Sequence, residues 1–170
     1  MRTFCTEGPV NRDKNYYILR KALLEDGLRK IDDWKYFTLF APRQSGKTTY
    51  FQMLIDEIKI KRQEFLPVWI SFENYLDLDE KTFLRLFRQD IGKALNEDFR
   101  EILDIQDIPF FLEEIAEEKE KDMILIIDEI EGLKNKFIMN DLIHTIRKIY
   151  HQKELYSLRS VILSGVSNIS

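Results

Sequence analysis

The residues best suited to chemistry lie in clusters that each follow an apolar run. The first is Ala41-Pro42-Arg43-Gln44-Ser45-Gly46-Lys47-Thr48-Thr49, where a small-residue turn leads into Gly-Lys-Thr and then a helical pattern. Strand, loop and helix in that order form a phosphate-binding P-loop. Gly46 permits a tight turn, so that successive N–H groups point at phosphate oxygens. The following helix N-terminus adds unpaired donors and the positive end of its dipole. Lys47 is placed to reach the β- and γ-phosphates of a nucleoside triphosphate, and the Thr48 hydroxyl to ligate magnesium. Pro42, Arg43, Gln44, Ser45 and Thr49 complete the expected cradle. The motif usually begins with Gly, and position 41 is Ala. Ala is small enough to sit beside a phosphate but resists positive φ.

Parallel α/β sheets bind ligands at the carboxyl ends of their strands, and three further clusters stand at such ends. Asp128-Glu129 follows Met123-Ile124-Leu125-Ile126-Ile127, an apolar run without alternation that marks a strand buried on both faces. Asp128 would hold magnesium, directly or through water, and Glu129 would polarise the attacking water as a general base. Ser164 ends Val161-Ile162-Leu163 and would report on the γ-phosphate, with Asn168 as the alternative. Glu73-Asn74 follows Leu66 to Phe72. One of that pair could hold Glu129 inactive until a partner binds, although turn formation alone accounts for Asn74.

The elements that must position these residues follow from periodicity. Residues 1–16 are polar with a Gly8-Pro9 turn signal and read as an extended arm. Tyr16-Tyr17-Ile18 then leads into a helix with Leu24, Leu28 and Ile31 on one face, weakened by Gly27. Tyr17 and Ile18 either join the core or wall an adenine pocket, because the arm runs just ahead of the P-loop. Tyr36–Phe40 is the first strand. The helix from Thr48 turns Phe51, Leu54, Ile55 and Ile58 inward, and Leu66–Phe72, with Pro67 at its start or on an edge, is the second strand. One amphipathic helix carries Phe83, Leu84, Phe87, Ile91, Ala94 and Leu95, and another follows Pro109 with Phe111, Leu112 and Ile115 inward. The acidic run Glu113 to Glu120 reads as a solvated face. A last helix presents Met139, Leu142, Ile143, Ile146, Ile149 and Tyr150 before the final strand. The order β-α-β-α-α-β-α-β predicts a three-layer α/β/α sandwich around a mainly parallel sheet of about four strands. Residues 1–34 read as an arm and helix packing on a core of residues 35–170.

With 170 residues the chain suits one domain with a real core. It is 44% hydrophobic and 33% charged, ordinary for a soluble globular protein. Its 26 Lys and Arg against 30 Asp and Glu give a net charge of −4, which disfavours a dedicated nucleic-acid binder. A single cysteine, Cys5, excludes an internal disulfide and a cysteine-rich metal site. No apolar run reaches membrane-spanning length and the N-terminus lacks a signal-peptide core, so the expected compartment is the cytoplasm, with no membrane partner.

Taken together, Tyr16-Tyr17-Ile18, the Ala41–Thr49 loop, Ile124–Glu129 as four apolar residues then Asp-Glu, and Ser160–Val166 resemble the AAA-like P-loop ATPases. More narrowly, the sequence is similar to the prokaryotic "AAA-like domain" ATP-binding proteins, relatives of the AAA+ and STAND classes. In that group Ala-Pro-Arg-Gln commonly opens the P-loop, the Walker A motif, and Asp128-Glu129 corresponds to Walker B. The resemblance covers nearly the whole chain. It implies ATP and magnesium as cofactors, and a sheet in which the Ser164 strand lies between the P-loop strand and the Walker B strand.

The family's core also has a fifth strand beyond the P-loop strand and usually a helical lid. This sequence ends at Ser170, so a fragment or a reduced version with an uncovered edge is expected, and such an edge invites pairing with another chain. Neither Arg147 nor Arg159 matches the arginine finger or second sensor. The leading function is Mg-ATP binding with slow hydrolysis coupled to conformational change on a partner protein or a second copy. The alternatives are a nucleotide-dependent switch without turnover, and a DNA-associated ATPase suggested by Lys59, Lys61, Arg62, Arg147 and Lys148. A small-molecule kinase fits less well, because paired acids after a buried strand suit water activation.

Overall fold

The computed structural model describes residues 21–166. Nine principal elements follow one another: α1 (Lys21–Asp32), β1 (Phe37–Ala41), α2 (Lys47–Lys61), β2 (Phe65–Ser71), α3 (Glu80–Leu95), α4 (Ile108–Lys119), β3 (Asp122–Asp128), α5 (Lys136–His151) and β4 (Leu158–Val166). The strands form one parallel sheet in the order β1-β4-β3-β2. This is the expected α/β sandwich, with β4 between the P-loop strand and the strand that ends in Asp128. Strand limits shift by about one residue from the periodicity, and β4 runs well beyond Val161–Leu163.

Strand alternation sorts the sheet into two faces. Ile124, Ile126, Ile162 and Phe65 pack with Leu24, Leu28 and Ile31 of α1 and with Phe51, Leu54 and Ile58 of α2. Leu125, Ile127, Val161, Val68 and Ile70 pack with Phe83 and Phe87 of α3, Phe111 and Ile115 of α4, and Leu142 and Ile149 of α5. Five consecutive residues of β3, Met123–Ile127, are buried, as a strand covered on both faces requires. Burying each such side chain contributes on the order of 1.5–3 kcal/mol.

Helix ends are fixed locally. The Asp79 side chain accepts from the Thr82 N–H at the start of α3, Asn135 accepts from Phe137 and Ile138 at the start of α5, and Pro109 opens α4. The periodicity reading misses some details. Tyr50 and Met53 are also buried, because α2 is wedged between the sheet and α1, whereas Ala94 is exposed. Gly27 lets α1 approach α2: a Cβ there would lie 2.3 Å from the Tyr50 hydroxyl oxygen. Pro67 falls in β2, which is an edge strand, so its missing N–H costs no ladder bond on the open side. Glu113 is not merely solvated, since its carboxylate accepts from both the N–H and the hydroxyl of Ser157.

Candidate functional site

The carboxyl ends of all four strands gather the clusters singled out in the sequence. At the end of β1 the chain makes the loop Pro42–Gly46. Its left-handed positions are Gln44 (φ 58°) and Gly46 (φ 84°), not Ala41, which is the last residue of β1. The Ala at position 41 therefore meets no conformational demand that only Gly could satisfy. Gly46 caps α2 with no side-chain acceptor for the first N–H groups, and among the described residues no atom from elsewhere in the fold lies within 4 Å of where its Cβ would be. Lys47 folds back so that its Nζ donates to the Ala41 carbonyl at 3.1 Å. Pro42, Arg43, Gln44 and Thr48 are exposed, and Thr49 is half-buried.

Two of the three buried side-chain hydroxyls without a partner among the described residues mark the same corner; the third, Thr145, is in α5. The Ser45 hydroxyl at the base of the loop and the Ser164 hydroxyl in β4 are buried with no hydrogen-bond partner. Ser164 stands opposite Leu39 of β1. By alternation with Ile162 it shares the sheet face of α2, and by alternation with Ile124 and Ile126 so does Asp128. The P-loop helix, Ser164 and Asp128 are therefore on one side of the sheet, at one end of it.

Asp128 is buried, and one of its oxygens, Oδ1, accepts from the Glu129 N–H at 2.9 Å. Glu129 itself has a left-handed backbone (φ 52°, ψ 45°), which swings its side chain out of the strand's alternation. Its carboxyl is pushed above the usual glutamate range, chiefly by burial and then by the neighbouring charges of Glu73 and Asp128; the Ser71 hydroxyl acts against that. Ser71 ends β2 and donates to Glu129 Oε2 at 3.4 Å. The sequence reading missed Ser71. No signal within its own segment marks it, because its place beside Asp128 comes from the pairing of β2 with β3. Glu73 and Asn74 instead form a turn in which the Tyr75 N–H bonds to the Phe72 carbonyl at 3.0 Å, and the Glu73 N–H donates to the Ser71 hydroxyl.

Other expectations fall elsewhere. Tyr17, Ile18 and Asn168 lie outside the described residues. Arg159 is at the opposite end of β4, where its guanidinium stacks on Trp34 and Phe65 and donates to the carbonyls of Ile31 and Asp32. Among the basic residues, Lys61 pairs with Glu57 and Arg62 with Asp32. Among the described residues no three His, Cys, Asp or Glu side chains gather as a self-sufficient metal site, and no helix is long and apolar enough to cross a membrane.

A family model described as an AAA domain matches residues 33–170. The chain belongs to the AAA domain family. That places it among the nucleotide-binding ATPases of the AAA type. Among solved structures, this AAA domain is similar in fold to a chain in Drosophila ORC bound to poly(dA/dT) DNA and Cdc6, with a TM-score of 0.57 and 13% identity over 86% of this chain and 24% of that one. It is also similar to a chain in Drosophila ORC bound to DNA, with a TM-score of 0.55 and 12% identity over 99% of this chain and 48% of that one. The domain thus spans about a quarter and about half of those chains. No curated protein matches.

Proposed function

We propose that this AAA domain binds Mg-ATP and hydrolyses it slowly, passing the resulting conformational change to a partner chain. The observation that carries this is the convergence of unsatisfied donors on one corner. The left-handed Gly46 opens α2, the Ser45 and Ser164 hydroxyls are buried without partners, and Asp128 lies on the same sheet face. Unpaired buried hydroxyls cost free energy that a bound phosphate would return. Lys47, which among the described residues bonds to the Ala41 carbonyl alone, can turn from it onto the phosphates. Thr48 and Asp128 fit a magnesium ion, which is commonly held by one hydroxyl and one carboxylate together with substrate phosphates. When bound, magnesium supplies charge neutralisation on the β- and γ-phosphates. Glu129 orients water and takes its proton. Ser164 donates to the γ-phosphate, and Pro42, Arg43, Gln44, Ser45 and Thr49 line the cradle.

ATP binding and single-turnover hydrolysis by two variants test this. Lys47→Ala is expected to weaken ATP binding about a hundredfold, as loss of a charged hydrogen bond would. Glu129→Gln is expected to bind ATP normally and to lose about 10²–10⁴-fold in turnover, the range for a general base. Equal hydrolysis by wild type and Glu129→Gln would remove the assigned base.

One observation favours a nucleotide-dependent switch without turnover in the isolated domain: the Glu129 carboxylate is tethered by the Ser71 hydroxyl. Product formed in a single turnover without a partner would rule that out. The two Drosophila structures contain DNA, but direct contact by this domain is the weaker alternative, since Lys61 and Arg62 are already ion-paired. DNA retention that does not fall with added salt would exclude it.

A further inference from the structure

Just past Glu129 the chain makes a 3-10 turn, Ile130–Gly132, closed by the Gly132 N–H on the Glu129 carbonyl at 2.8 Å. On one side, the residue that follows β2 meets both the end of β3 and this turn: the Phe72 N–H bonds to the Asp128 carbonyl at 2.9 Å, and the Phe72 carbonyl packs against Gly132. On the other side Glu131 reaches across to β4. Its Oε1 accepts from the Val166 N–H at 3.2 Å. Its Oε2 occupies the space beside Gly165, where a Cβ would come within 2.7 Å of it and within 2.8 Å of the Phe40 ring. Gly165 thus leaves room for the carboxylate to sit at the strand end. Val166 is paired with Ala41, whose carbonyl holds Lys47, and Ser164 is two residues upstream in the same strand.

We propose that Glu131 is a positioning residue. Its carboxylate clamps the end of β4 to the acidic turn, so that Ser164 and Glu129 keep a fixed separation. Among the described residues, the end of β4 past Leu163 has β1 as its remaining strand neighbour, and the turn is otherwise held by its contact with the end of β2 and by the burial of Ile130 and Leu133 in the core, neither of which ties it to Val166. The role rests on the nucleotide function proposed above, because it matters only if Ser164 and Glu129 act on one ligand. The acceptor oxygen does the work rather than the charge, since Val166 offers a neutral N–H.

The test compares wild type with Glu131→Ala and with Glu131→Gln, which retains an acceptor oxygen, in the full chain. Without nucleotide, amide exchange at Val166 is expected to quicken about tenfold in Glu131→Ala and to stay within twofold of wild type in Glu131→Gln, as loss and retention of one hydrogen bond imply. Equal exchange in all three overturns the clamp. In single-turnover ATP hydrolysis, Glu131→Ala is expected to lose about tenfold in rate with ATP affinity within twofold, and Glu131→Gln to keep the wild-type rate. A rate loss shared by both variants, or an affinity loss in Glu131→Ala that matches its rate loss, overturns the positioning role. A wild type that binds but never hydrolyses ATP defeats the ATPase function instead. The exchange result then decides the clamp by itself.

Discussion

Ser160 and Ser164 lie on the same face of β4, either side of Ile162, and both are fully buried. The Ser160 hydroxyl donates to the Lys35 carbonyl at 2.6 Å, while the Ser164 hydroxyl has no partner. The contrast extends to the two ends of the sheet. At the amino ends, Tyr36 bonds to the Leu158 carbonyl, Arg62 pairs with Asp32 through two hydrogen bonds, and Arg159 fastens the end of α1 between two aromatic rings. At the carboxyl ends, the Ser45 and Ser164 hydroxyls are orphaned and Asp128, Glu129 and Glu73 crowd together, whereas left-handed backbones occur at both ends, Trp34 and Glu120 at the amino ends and Gln44, Gly46 and Glu129 at the carboxyl ends. One end satisfies its polar groups and supports the fold. The other leaves them poised for a ligand, at a cost in stability that binding would offset.

The difference can be broken most sharply at Arg159. Arg159→Ala is expected to lower the free energy of unfolding by about 2 kcal/mol, from two lost charged hydrogen bonds at a partly exposed site and a lost cation–π stack. Denaturant melts would show this, and ATP affinity is expected to stay unchanged; an equal loss of affinity would mean the two ends are coupled. A finer comparison replaces each serine by alanine. Ser160→Ala is expected to cost about 1 kcal/mol, leaving the Lys35 carbonyl unpaired, whereas Ser164→Ala is expected to be neutral or to stabilise by up to about 1 kcal/mol. If Ser164→Ala destabilises as much as Ser160→Ala, its hydroxyl is not an orphan.

The smallest effects are those of pH. Burial raises the Glu129 carboxyl, so the folded state favours its neutral form, and its stabilising contribution fades as pH rises from the ordinary glutamate value through the raised one. Thermal melts of Glu129→Gln are therefore expected to exceed wild type at neutral pH and to converge with it in acid. Asp32 behaves oppositely. Its hydrogen bonds to Arg62 hold it below the usual range, so its contribution is present above the ordinary aspartate value and is lost as pH falls through the lowered one. Asp32→Asn is expected to lose a little stability at neutral pH, and the difference closes in strong acid.

The sequence by itself determined the element order, the P-loop, the buried β3 and the position of the paired acids after it. Those signals are local: a 3.6-residue or two-residue period, a Gly-Lys-Thr turn, an apolar run ending in Asp128. The family pattern also supplied the placing of β4 between β1 and β3. Only the tertiary structure decided which distant groups meet. Ser71 approaches Glu129 because β2 is paired with β3 in a register that sets Ser71 beside Asp128. Glu131 reaches Val166 because β4 is β3's other neighbour. Arg159, available by composition for a finger, is spent on the carbonyls that end α1. Tyr50 and Met53 are buried because a second helix covers α2 on the side that periodicity leaves polar. Each of these depends on strand pairing or layer packing between segments far apart in sequence. No period or turn signal within one segment encodes them.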